Sequence, residues 1–140
     1  MGQKHYGWSP PGLANVGSYQ VAGQPYISGS TTHAPLHEEQ FDFPYVTKNV
    51  TVINHSSETI RIHFNSTGSG PVISGMHYVE LDSDEDSYTF NAKCKQIFVS
   101  APANGGNASY CLIAELTGIE RGSMYALTGS GLTEHINDLT

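Results

Sequence analysis

The feature that most constrains the fold is a succession of short runs between residues 36 and 128 in which apolar and polar residues alternate. The clearest run is Thr59–Asn65, where Ile60, Ile62 and Phe64 occupy every second position. Alternation with period two is typical of antiparallel strands that turn one face to a core and one to solvent. About seven or eight such strands predict an all-β fold, an antiparallel β-sandwich of jelly-roll or immunoglobulin-like topology.

Turn-forming residues separate the runs, and their chemistry predicts the connections. The segment Asn54–Glu58 is short enough to predict a hairpin. In the clearest run, Thr59–Asn65, the alternation predicts that His63 faces solvent. Besides the run around Phe41–Tyr45, the predicted strands are Lys48–Asn54, Thr59–Asn65, Val72–Leu81, Ser87–Asn91, Cys94–Ala101, Ala108–Leu116 and Met124–Thr128.

The chain of 140 residues fits one domain with two extensions. Glycine and proline recur so often in residues 1–35 that this segment is predicted to be an extended N-terminal arm, followed by the sandwich at 36–128 and a Gly-rich C-terminal tail at 129–140. The arm is too apolar for a solvated linker, so it is expected to lie on a neighbouring subunit or to fold back over its own sandwich. Its candidate partner-binding residues are Tyr6, Trp8, Leu13, Val16, Tyr19 and Tyr26.

Charge and hydropathy exclude several functional classes. Lys and Arg number 6 against 13 Asp and Glu, so the net charge of −7 disfavours binding to a phosphate backbone. Nucleic acid is therefore not an expected partner. No apolar run is long enough to cross a bilayer, and the first residues lack a hydrophobic signal core, so a membrane is not an expected partner either. Without an export signal, Cys94 and Cys111 are expected to be buried free thiols, with a disulfide as the alternative.

Motifs that carry catalysis or bind metals are weak. His33 and His37 have the spacing of two ligands on one helical face, but Pro35 between them prevents a helix, which favours solvated loop histidines. The turn Asp82–Asp86 resembles the start of a calcium loop but lacks its later ligands. No nucleophile elbow, phosphate loop or activated cysteine is present. We therefore expect a protein that is not an enzyme and needs no cofactor.

Three stretches carry a resemblance to a known class of protein. Residues Tyr6–Val21, Phe43–Asn54 and Ser123–Gly131 resemble the small virion structural proteins of tailed bacteriophages, especially those that infect marine cyanobacteria. The three stretches are spread over most of the chain, and the resemblance lies in their general residue pattern rather than in a chemical motif. No catalytic residues are carried over, since the resemblance offers none.

The resemblance implies a non-enzymatic component of the virion, assembled in the host cytoplasm. It points to a head decoration or cement protein that bridges and stabilises major capsid subunits, as part of a homo-oligomer or another multi-copy assembly with other virion structural proteins. A neck, tail or baseplate component is one alternative. A β-sandwich module that binds host glycans through exposed Tyr and His residues, with the acidic turn holding a cation, is another.

Overall fold

A computed structural model describes residues 12–14, 16–20, 23–66, 77–83, 85–102 and 105–127. Of the predicted features, Tyr6, Trp8 and the tail at 129–140 lie outside these residues. One helical turn, α1, spans Gly17–Gln20, and a 3₁₀ turn spans Arg121–Ser123. The strands are β1 Gln24–His33, β2 Glu38–Asp42, β3 Tyr45–Asn54, β4 Ile60–His63, β5 Val79–Leu81, β6 Ser87–Phe90, β7 Gln96–Ser100 and β8 Ala108–Glu120.

The strands form two four-stranded antiparallel sheets that pack together as a sandwich. The first sheet has the order β1-β8-β3-β6 and the second has the order β2-β7-β4-β5. Strands one to four therefore pair with strands eight, seven, six and five, and these four antiparallel pairs are distributed over two sheets. This is the strand order of an eight-stranded jelly roll. The predicted all-β sandwich is confirmed, with the jelly-roll topology rather than the immunoglobulin-like one.

The core lies between the sheets and is built from the inward residues of the central strands. Strand β8 shows the pattern best, because its residues from Ala108 to Leu116 are buried at every second position. Strands β3, β4 and β7 contribute aliphatic side chains with no more than 1% exposure: Val50, Val52, Ile60, Ile62, Ile97 and Val99. In β3, β4 and β8 the alternation therefore indicates correctly which residues face the core.

The predicted boundary between arm and sandwich after residue 35 is wrong. Residues Gln24–His33 form β1, which pairs with β8 along the edge of the first sheet. Gly29 allows this pairing, because its φ of +151° suits glycine and an added Cβ would lie 2.3 Å from the carbonyl oxygen of Tyr110. The arm folds back over its own sandwich here, so the sandwich begins at Gln24.

Two predicted connections also differ. The segment Asn54–Glu58 is not a hairpin, because β3 and β4 belong to different sheets. The Asn54 side chain makes the turn: its Nδ2 donates to the carbonyl oxygen of Glu58, and its Oδ1 accepts hydrogen bonds from the backbone N–H and hydroxyl of Ser56. Of the predicted strand Met124–Thr128, the described residues 124–127 contain an isolated bridge at Leu127 after the 3₁₀ turn.

Two histidines predicted to be solvated are buried. His63 points away from the core as predicted, yet it has no exposed surface, because its ring stacks on Phe98 at 5.9 Å. His33 is 6% exposed at the end of β1, where its Nε2 donates to the carbonyl oxygen of His37 at 3.0 Å. His37 itself is exposed. Pattern alone did not reveal that neighbouring segments cover both rings.

The two cysteines are free thiols on opposite sides of the first sheet. Cys94 precedes β7 and is fully buried in the core. Cys111 is on β8, but its side chain is only partly buried because it occupies the alternate, outward position. Only one of the two thiols is therefore as buried as expected.

Candidate functional site

The outer face of the first sheet is the strongest candidate for an interaction surface. Residues directly opposite each other in antiparallel strands share a face, so the registers define rows across the sheet. One row runs through Ile27, Ile113, Thr51 and Thr89 on β1, β8, β3 and β6. The next rows are Gly29-Cys111-Ile53-Ser87 and Pro25-Glu115-Asn49. We call these three rows the isoleucine face.

Apolar and small side chains dominate the isoleucine face. Ile27 is 69% exposed and lies directly opposite Ile113, whose side chain is partly exposed. Glu115 is the one charged side chain in the three rows, and it lies 3.7 Å from the ammonium group of the adjacent Lys48. An exposed apolar group bordered by polar residues on a small domain is typical of a protein contact.

The outer face of the second sheet has a different character. Its rows bring Glu38, Ser100 and Arg61 side by side, and the guanidinium of Arg61 donates to the Glu80 carboxylate at 2.9 Å and covers the ring of Tyr78. The two charged groups Arg61 and Glu80 therefore form an ion pair on this face. The first sheet therefore presents exposed isoleucine to solvent with one charge pair at its end, whereas the described residues of the second sheet present mainly charged and polar groups.

The candidate residues of the arm are divided between the protein's own body and solvent. Leu13 and Tyr19 pack on a small cluster formed by Val46, Ile119 and Met124 beside β8. The Tyr19 hydroxyl also donates to the carbonyl oxygen of Leu13 at 2.9 Å. Leu13 and Tyr19 therefore contact their own sandwich. The arm between residues 12 and 20 folds back, as the second of the two expectations has it.

Tyr26 packs against the sandwich, whereas Val16 is exposed to solvent. The ring of Tyr26 packs edge-to-face on the core residue Phe43, with 5.1 Å between ring centres. Tyr26 is therefore partly buried against its own core, and its role as an anchor for a partner stays a prediction. Val16 is 66% exposed and remains available to a partner.

A serine–histidine pair lies on the second sheet. The Ser100 hydroxyl donates to Nε2 of His63 at 3.0 Å, and His63 Nδ1 donates to the carbonyl oxygen of Asn65 at 2.7 Å. This order of hydroxyl, imidazole and orienting acceptor is that of an activated nucleophile. Burial lowers the pKa of His63, which keeps the ring neutral. Ser100 is only 6% exposed, so the arrangement serves as a buried hydrogen bond between β7 and β4.

Neither a cluster of metal-ligating residues nor a membrane-spanning helix is found in the part of the chain that the structure describes. Within the described ranges no three His, Cys, Asp or Glu residues converge as metal ligands. In the acidic turn the Asp86 carboxylate accepts the backbone N–H of Asp82 at 2.9 Å, and Glu85 pairs with His55 at 2.8 Å, so these carboxylates hold the turn itself. No helix among the described residues is long and apolar enough to cross a membrane.

Comparison with known proteins returns no relative. No family model matches the chain, and no curated protein and no solved structure matches it.

Sequence reasoning missed the isoleucine face, although β8 carries a signal for it. The segment Cys111–Ala114 is apolar at four consecutive positions, whereas a strand with one wet face alternates. Continuous apolar character indicates a strand that is covered on both sides. In the structure Leu112 and Ala114 are buried, while Cys111 and Ile113 point outward and are only partly covered.

Proposed function

We propose that this protein is a non-enzymatic structural subunit of a virus particle, a decoration or cement protein that binds major capsid subunits. The observation that carries the proposal is the exposed Ile27 beside Ile113 on a sheet face with a single charged side chain. Such a face gains free energy when a partner covers it, because its apolar area leaves water.

Two further observations support the proposal. The chain resembles small virion proteins of tailed bacteriophages over the stretches Tyr6–Val21, Phe43–Asn54 and Ser123–Gly131. The jelly roll is an architecture of viral capsid proteins, although lectins and cupins share it, so the fold alone does not decide between these functions. The contact surface therefore has to carry the functional argument.

The rigid sandwich suits a subunit that is present in many copies, each of which makes a small contact. Two packed sheets form a rigid body, so the isoleucine face is presented without a large loss of conformational entropy on binding. In a shell of identical capsid subunits each copy makes the same modest contact, and linked contacts raise the overall affinity. Val16, which is 66% exposed on the arm, is a further apolar side chain that a partner could cover.

Particle incorporation tests the proposal. The full chain is produced together with the capsid proteins of the virus proposed to carry it, particles are purified, and the bound copies are counted by quantitative mass spectrometry. A decoration protein is expected at hundreds of copies per particle, whereas about a dozen copies indicate a neck, tail or baseplate position. Absence from purified particles would contradict a role in the virion.

A matched pair of variants links incorporation to the face. Ile27→Asp places a charge on the isoleucine face, and Leu36→Asp places the same charge on a residue outside the three rows that is 65% exposed, close to the 69% of Ile27. Because both side chains are exposed, both variants are expected to fold. Incorporation should fall at least tenfold for Ile27→Asp and stay unchanged for Leu36→Asp. Equal incorporation of the two variants would exclude the isoleucine face as the contact.

A further inference from the structure

We infer that the isoleucine face is a homodimer interface, in which a second copy of this chain packs face to face about a two-fold axis that runs parallel to the strands between β8 and β3. This inference rests on the proposed function and assigns the isoleucine face to a second copy of the chain, so that the protein joins the particle as a dimer and contacts the capsid subunits with the rest of its surface. A two-fold contact uses the same patch on both copies, so the patch must complement itself.

The registers supply this complementarity. Strands β8 and β3 are neighbours at the centre of the first sheet, and Ile113 lies opposite Thr51 while Cys111 lies opposite Ile53. Rotation about an axis parallel to these strands keeps each residue at its height and places β8 of one copy over β3 of the other. Ile113 then meets Thr51 of the second copy, and Ile53 meets Cys111. Large side chains thus face small ones, which is the condition for interdigitated packing.

The outer strands follow the same rule. Strands β1 and β6 lie at the two edges of the first sheet, so the rotation places Ile27 over Thr89 of the second copy. A two-fold axis perpendicular to the strands would instead place isoleucine over isoleucine. The observed rows therefore favour the axis along the strands.

The distribution of charge over the surface also favours a second copy of this chain as the partner. The chain carries a net charge of −7, so two copies repel each other over most of their surfaces. The isoleucine face avoids this repulsion, because Glu115 is its one charged side chain and Lys48 lies beside it. Under the two-fold rotation Glu115 of one copy lies over Asn49 of the other, next to Lys48, so opposite charges meet at this end of the interface.

The size of the face determines how strong the dimer is. Four strands about 4.8 Å apart, with roughly five residues of about 3.4 Å each, cover roughly 300–400 Å² per copy. Specific stable complexes bury about 800 Å² per partner, so the face alone gives a weak dimer. The expected association is therefore concentration dependent, and a particle that holds many copies close together favours it.

The chain contains its own probe for the interface. Cys111 lies within the second row of the face, and the only other cysteine, Cys94, is buried in the core. Covering the face must slow alkylation of Cys111 and leave Cys94 unaffected. Burial also raises the pKa of the Cys94 thiol to about 11, so Cys94 remains protonated and the alkylation signal comes from Cys111.

The experiment combines sedimentation equilibrium with alkylation on the full chain, from about 10 µM to about 1 mM. The wild type and Leu36→Glu are expected to shift from monomer to dimer, with Cys111 reacting several-fold more slowly with N-ethylmaleimide at the highest concentration. Ile27→Glu is expected to remain monomeric with a constant alkylation rate. The matched exposure of Leu36 and Ile27 separates an effect of the face from a general effect of added charge.

The results separate this inference from the proposed function. A wild-type chain that stays monomeric with constant Cys111 reactivity, or an Ile27→Glu variant that still dimerises, overturns the homodimer. If that chain nevertheless joins particles, the proposed function stands and the face binds the capsid protein directly. A chain that dimerises as expected but never enters particles keeps the homodimer and loses the virion role.

Discussion

The hydroxyl of Tyr110 on β8 donates a hydrogen bond to the carboxylate of Glu39 on β2 and thereby joins the two sheets of the sandwich. Burial raises the pKa of Tyr110, and the hydrogen bond to Glu39 and its negative charge raise it further, so the phenol stays protonated and continues to donate. The ring of His33 packs edge-to-face on Tyr110, with 5.6 Å between ring centres, and its Nδ1 lies 3.5 Å from the same carboxylate. This contact closes one end of the jelly roll.

Tyr110→Phe is expected to lower the free energy of unfolding by about 1–2 kcal/mol, because it removes a hydrogen bond to a charged acceptor while the ring contacts with His33 and Phe41 remain. Urea denaturation measures the change. Tyr88→Phe removes a hydroxyl from an exposed residue and should change stability by less than about 0.5 kcal/mol. Equal losses in the two variants would show that the sheet-to-sheet hydrogen bond contributes nothing.

Protonation of His63 should make the fold less stable in acid. Burial lowers the pKa of the folded-state imidazole, with Arg61 acting in the same direction and Glu38 and the carbonyl oxygen of Asn65 opposing it. The unfolded chain therefore binds a proton first, at about pH 6.5. The stabilisation is complete above that pH and is lost as the pH falls towards and through the lower folded-state pKa. Urea titrations at about pH 7.5 and pH 5.0 measure this loss.

A variant identifies the group responsible. His63→Gln retains an acceptor for Ser100 but does not titrate, so its stability should depend less on pH than that of the wild type. An NMR titration of the folded wild type reads the His63 ring directly, even if His63→Gln folds poorly. A folded-state pKa at or above 6.5 would contradict the assignment.

Substitution of Gly29 should weaken the edge of the first sheet. At a φ of +151° a side chain is strained, and the new Cβ would lie 2.3 Å from the carbonyl oxygen of Tyr110, so β1 must move away from β8. Gly29→Ala is expected to lower the free energy of unfolding by about 1–3 kcal/mol and to speed amide exchange in β1. Gly122→Ala meets no atom within 4 Å and should be nearly neutral. Equal stability of the two variants would contradict the close approach.

The parts of the fold that could be predicted are those in which local pattern and global burial agree. The strand containing Ile60 and Ile62 is one example, since alternation places both side chains in the core and both are buried. Residues Gln24–His33 could not be assigned, because glycine and proline suggest a loop whereas an edge strand tolerates both. Pairing with β8, whose partner residues lie between 75 and 92 residues further along the chain, decides their structure.

The candidate site depended on contacts that pattern does not encode. Tyr19 and Tyr26 have the same apolar character in the sequence. The ring of Tyr26, on β1, packs against the main core, whereas the ring of Tyr19 packs on the small cluster beside β8. Conversely, Ile27 was one apolar residue among several in the arm, and only the register opposite Ile113 shows that it belongs to an outer face. The sequence indicates which residues are apolar, and the topology decides which of them remain exposed.

The docked position of the arm can be tested with Tyr19. Its ring packs on the cluster of Val46, Ile119 and Met124, and burial raises the pKa of its phenol, to which Tyr125 adds. Tyr19→Ala should lower the free energy of unfolding by roughly 1–2 kcal/mol, because this partly buried ring is removed from apolar contact. Val16→Ala, at a residue of the same arm that is 66% exposed, should change it by less than about 0.5 kcal/mol. If the two variants are equally stable, the segment around Tyr19 does not hold to its own sandwich in solution, and all the arm residues are available to a partner subunit.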